Sequence, residues 1–265
     1  MVAVLPFGLL VAAALVRPLR LPILLLVVAG TALAARGRDR GPDRLRAAGP
    51  WAAGVPIAVS LCWGLLAAPV DPARASCTDP ASPFALWRLG EATLALGAMA
   101  LLAVVLGADG GGLGLRRPSR AVAALSVAGF LVAGPLALLV GPWLARPFFG
   151  TFGLASTTVG AIAPALAFAA ANGVMEELEY RGAALSWSAP GLGLRGSLVA
   201  QAVVFGAAHQ GPDFVGSAVP VALAMVAAGV VAGLIARRTG SLALPIAIHA
   251  GCDIPIYYFF ACPVT

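Results

Sequence analysis

Residues 167–187 read AFAAANGVMEELEYRGAALSW. The flanks are small and apolar, as in a helix crossing a bilayer. The centre places Glu176, Glu177, Glu179 and Arg181 within six residues. A charged side chain at bilayer depth costs about 2.5–3.5 kcal/mol even on the mildest scales. A helix carrying four of them must turn them toward protein, so this stretch predicts a bundle with a polar interior rather than a lone anchor.

The composition agrees. The chain has 265 residues, 60% hydrophobic and only 11% charged, against about 25% charged in soluble domains. Mean hydropathy is +0.96. The reading is an all-α polytopic transmembrane helical bundle. Every one of the 17 basic residues is arginine, and the net charge is +6. This excess is not a nucleic-acid signal, because the arginines stand at the ends of apolar segments, where cytoplasmic loops carry them.

A span needs about 20 apolar residues. Such runs lie near 51–70, 89–108, 121–143, 159–188, 196–212, 218–236 and 241–260. Residues 2–16 and 21–35 form two shorter runs split by Arg17-Pro18-Leu19-Arg20, either a tight hairpin or one span plus an interfacial segment. The expected total is eight or nine membrane helices. No basic stretch precedes the first run, so a cleavable signal peptide is not expected. One threading puts the arginine loop at 36–47, Arg116–Arg120, Arg195 and Arg237-Arg238 on the cytoplasmic side. The loop with Asp71, Cys77 and Asp79 then lies outside, as does the C-terminus. Residues 1–158 read as N-terminal transmembrane helices, and 159–265 as a catalytic core. Gly229 and Gly233, at GxxxG spacing, are expected to serve close helix packing. Tryptophans 51, 63, 87, 143 and 187 stand near span ends, as interfacial aromatics do.

The polar inventory concentrates in that core. The chain's two histidines are His209 and His249, and three of its four glutamates are Glu176, Glu177 and Glu179. The run Ala189-Pro190-Gly191-Leu192-Gly193 signals a turn between two helices. Glu176 and His209 each stand about 20 Å of helix rise from it, on opposite sides. Antiparallel neighbours would bring them to one depth, and His249 in the last span can join them. Glu177 and Arg181 are four apart, so they share a helix face and form a pair. Glu176 points about 100° away from Glu177 and is left for another partner. His249 with Asp253, and Phe205 with His209, repeat the four-residue spacing. Asp253 is expected to orient the imidazole or share a ligand.

This set suits peptide hydrolysis. A carboxylate in a low-dielectric cavity can take a proton from water and return it to a leaving amine. The histidines and Asp253 would stabilise the oxyanion, or hold a metal that does so. No serine or cysteine pairs with a histidine as a nucleophile.

The ordered set Glu176-Glu177-x-x-x-Arg181, Phe205-x-x-x-His209 and His249-x-x-x-Asp253 resembles the CPBP family, also called ABI. These are CAAX-protease and bacteriocin-processing intramembrane endopeptidases. The stretch GLIARRTGSLALPIAIHAGCD, residues 233–253, looks like the family's last two helices. The resemblance covers about residues 170–255 and implies a catalytic cavity within the bilayer. It implies Glu176 as the base that activates water, Glu177 and Arg181 as its supporting pair, and His209 and His249 lining the cavity with Asp253 beside His249. The family often has asparagine at the last position, so Asp253 is a departure. Glu179 adds a further carboxylate.

Members are commonly called metalloproteases, yet a glutamate-activated water without metal is also described. Glu176, His209, His249 and Asp253 would count as ligands for a divalent metal, zinc first. No HExxH pair is present, and the metal-free reading is carried forward. The expected substrate is a membrane-associated peptide or protein, of CAAX type or a leader. The expected location is the bilayer of a bacterial plasma membrane, with no nucleic-acid partner. The alternatives are a non-catalytic bacteriocin-immunity or membrane-scaffold protein of the same fold, and a proton-coupled transporter.

Overall fold

The computed structural model describes residues 3–38, 42–67, 78–79, 82–108, 113–149, 159–210 and 219–261. They form α1 (Leu5–Leu15), α2 (Arg20–Ala35), α3 (Pro42–Leu66), α4 (Pro83–Leu106), α5 (Arg120–Phe149), α6 (Ile162–Glu177), α7 (Leu185–Ala208), α8 (Val219–Thr239) and α9 (Ala243–Ala261). There is no strand among the described residues. Residues Asp71 to Cys77 of the expected outer loop lie outside the described residues.

Helices α1 and α2 form the tight hairpin, joined by the single 3-10 turn Arg17–Leu19. The Arg20 side chain donates to the Ala13 carbonyl at 3.3 Å across that turn. Among the described residues, six stretches are long and apolar enough to cross a membrane, and Leu5–Leu15 is a shorter apolar helix. One of the six, Val159–Ala208, is 50 residues long. At about 1.5 Å per residue it would measure roughly 75 Å, more than twice the hydrocarbon core. It doubles back at Gly193, whose φ of 70° and ψ of 162° interrupt α7. The two arms lie side by side, with the rings of Tyr180 and Phe205 5.0 Å apart. The expected turn at 189–193 thus falls at its last glycine.

Helix α3 starts at Pro42 rather than near residue 51, and α4 at Pro83 rather than 89. Hydropathy marks where apolar sequence begins. A helix can run on through charged turns into the headgroup region, as PDRLRAAG does at the start of α3.

The turns bearing Arg44, Arg116 and Arg237 lie at one end of the bundle, whereas Arg17 in the α1–α2 turn donates to the Gly64 carbonyl near the other end of α3. Arg44 donates to the Val105 carbonyl at 3.0 Å, and Leu242 N–H donates to Gly114 O at 3.1 Å. At the opposite end, the Tyr257 hydroxyl donates to Ser82 Oγ at 2.7 Å.

Small residues set the helix spacing around the core. Gly229 of α8 lies against Ala202 of α7, where a Cβ would stand 3.0 Å from the Ala202 Cα. Gly251 of α9 faces α5, and a Cβ there would meet the Phe130 carbonyl oxygen at 2.7 Å. Backbone cannot yield as a side chain does. Gly251→Ala is therefore expected to force α5 and α9 apart and cost about 1–3 kcal/mol, the usual range for overpacking. Denaturant unfolding in detergent checks this; a midpoint equal to wild type would contradict it. Trp187 departs from the interfacial reading, because it is only 1% exposed and packs in the main core.

Candidate active site

Helix α6 begins as a regular α-helix and widens into a π-helical stretch, Leu178–Ala184, before α7. Such widened turns are rare and often sit at functional sites. Asn172 and Glu176 precede the change and share a face one turn apart. Glu177 stands at its edge. Gly173 lets this face approach α9, since a Cβ there would be 3.1 Å from the Ala250 backbone nitrogen.

The approach brings His249 of α9 onto the glutamates. Its Nδ1 donates to Glu177 Oε1 at 2.8 Å. The same carboxylate oxygen lies 3.1 Å from Arg181 Nη1. Glu177 therefore bridges arginine and imidazole, and it fixes the histidine ring. The opposite ring nitrogen, Nε2, is 3.7 Å from Glu176 Oε2 and 3.7 Å from Asp253 Oδ2. Asp253 is held in turn by Asn172, whose Nδ2 donates to its Oδ2 at 2.9 Å. The orienting role expected of Asp253 thus falls first to Glu177, and Asp253 flanks the other nitrogen.

The three carboxylates differ in access. Side-chain exposure is 14% for Glu176, 2% for Glu177 and 3% for Asp253, while His249 is at 16%. Glu176 Oε2 has no hydrogen-bond partner among the described residues. Glu177 and Asp253 are held by close partners through one oxygen each, whereas Glu176 has the most exposed side chain of the three and an unmatched oxygen facing His249.

His209 caps the end of α7. Its Nδ1 donates to the Phe205 carbonyl at 2.7 Å, and its ring lies 4.6 Å from the Phe205 ring. Phe205 also meets His249 edge-on at 6.3 Å and carries the Arg181 guanidinium over its face at 4.3 Å. The aromatic ring is thus the common wall between both histidines and the arginine, a favourable place for a cation. All six residues expected at the site meet around α6, α7 and α9.

Sequence reasoning missed four contributors. Asn172 carried a usable signal, one helical turn before Glu176. Ser60 did not: it comes from α3 and donates to the buried Glu179 Oε1 at 2.6 Å. Arg88 and Glu91 of α4 pair at 2.7 Å, with Glu91 buried. Glu179 belongs with this second group, turned toward α3.

A zinc ion needs three or four ligands about 2.0–2.3 Å away. Among the described residues no group of three His, Cys, Asp or Glu side chains meets that requirement. No step below is routed through a metal.

Asp253→Asn keeps an oxygen for Asn172 and the same shape beside Nε2. It is expected to change turnover by less than about tenfold, whereas Asp253→Ala, which strands the Asn172 amide, is expected to cost clearly more. Equal losses in the two variants would contradict this.

The class defined so far is an α-helical integral membrane protein with a glutamate–histidine site inside its bundle. Residues 158–255 match the family model described as type II CAAX prenyl endopeptidase Rce1-like. The matched stretch holds all six residues expected at the site above. Neither a curated protein nor a solved structure matched the chain.

Proposed function

We propose that the chain is an intramembrane endopeptidase in which Glu176 activates water. The observation that carries this reading is the buried, unmatched Glu176 Oε2 facing His249 Nε2 across 3.7 Å. A water lodged there can hydrogen-bond both, since each bond needs about 2.8 Å.

The chemistry follows from these positions. Glu176 takes a proton from the water while its oxygen attacks the scissile carbonyl carbon. Negative charge develops on the carbonyl oxygen, and His209 or His249, protonated at both ring nitrogens, is the donor placed to stabilise it through Nε2–H. Glu176 then returns the proton to the departing amine as the C–N bond breaks. Glu177, Arg181 and Phe205 hold the imidazole in place throughout. The substrate is a membrane-associated peptide, and the family match favours one ending in a prenylated CAAX-type sequence.

Fluorogenic peptides with and without a farnesylated cysteine test this with the purified full chain in liposomes. Cleavage is expected for the lipidated peptide, absent with Glu176→Gln, and retained in the presence of a chelator. Activity abolished by chelator and restored by zinc would overturn the metal-free step. Proton-coupled flux in the same liposomes without cleavage would overturn the protease reading.

A further inference from the structure

A cavity of about 150 Å³ opens at the arginine-bearing end of the bundle, away from the Glu176–His249 pair. It has room for a group the size of a phosphate. Its lining includes Gly114, Arg116, Arg181, Ser186, Arg237 and Gly240. Gly114 and Gly240 both adopt positive φ, 73° and 65°, and shape the two turns that form its rim. The lining contains three arginines and no carboxylate.

Arg181 is the informative member. It is 2% exposed, yet its Nε and Nη1 have no hydrogen-bond acceptor among the described residues. Nη1 has only the ion pair with Glu177, at 3.1 Å. A buried guanidinium with unmet donors is costly to leave so. Arg116 and Arg237, both exposed at the rim, add charge that Glu177 cannot balance. Three guanidinium groups around one small cavity match a tetrahedral, multiply charged anion better than a single carboxylate.

We infer that this cavity is a binding site for a phosphate group, supplied by the headgroup of an anionic phospholipid. The basic end of the bundle lies where such headgroups lie. Arg181 would then join two tasks. One part of its guanidinium faces the headgroup and another pairs with Glu177, which holds His249.

Native mass spectrometry of the full chain in detergent tests the site, independently of any peptidase activity. The probes are phosphatidylglycerol, diacylglycerol with the same chains, and glycerol 3-phosphate. One phosphatidylglycerol is expected to stay bound, and diacylglycerol is not. The pair Arg116→Ala/Arg237→Ala is expected to weaken binding by at least about tenfold. The pair Arg36→Ala/Arg120→Ala, which removes equal charge elsewhere at that end, is expected to change it by less than about twofold. Glycerol 3-phosphate binding with the same arginine dependence supports the phosphate site and moves its ligand into solution. Equal weakening by both arginine pairs, or retention of diacylglycerol, overturns the inference.

Discussion

Glu176→Gln is expected to reduce turnover by about 10²–10⁴-fold, the range a positioned general base supplies, with the bundle still folded. Glutamine keeps the volume and one oxygen, so packing against α9 survives. It cannot accept the water's proton. The side chain carries no structural hydrogen bond at Oε2, so its loss strands no partner. Turnover should therefore fall while thermal stability in detergent stays within about 0.5 kcal/mol of wild type. Equal loss of stability and activity would make Glu176 a structural residue instead.

Arg181→Ala has the largest expected effect on stability. Arg181 and Glu177 are 1% and 2% exposed at their side chains, and they lie 3.1 Å apart. Removing one partner of such a pair typically costs about 3–5 kcal/mol, because the other charge stays buried. The truncation also removes the guanidinium from the Phe205 face. Replacing both partners, as Glu177→Gln/Arg181→Met, leaves no orphaned charge. The double variant is therefore expected to be more stable than Arg181→Ala alone. Its activity should still be impaired, since the anchor of His249 is weakened. Additive destabilisation across the two changes would mean the pair is not coupled.

The parts of this architecture written locally in the sequence could be read there. Apolar runs marked the helices, and the glycine-rich turn before Arg195 marked the hairpin that folds α7 back. Four-residue spacings placed Glu177 with Arg181, Phe205 with His209 and His249 with Asp253, because each pair lies within one helix. What joins different helices left a weaker trace. Nothing beside Ser60 announces that it will meet Glu179 across the bundle. Arg88 and Glu91 lie three apart on α4, and nothing in that spacing tells that Glu91 is buried once the helices pack. The contact of Glu177 with His249 depends on how closely Gly173 lets α6 and α9 approach, which periodicity does not report. The π-helical stretch was also invisible, because an extra residue per turn has no composition of its own. Trp187 shows the same limit: a tryptophan near a span end suits the interface or the core, and its neighbours decide.

The central claim is that Glu176 drives peptide cleavage inside the membrane. Terminal-peptide proteomics tests it most directly, on membranes carrying wild type or Glu176→Ala at equal abundance. The account predicts peptide ends present only with the wild type, belonging to membrane-associated proteins. Identical ends in both samples, with the variant folded and abundant, would contradict it and leave the fold with a non-catalytic role.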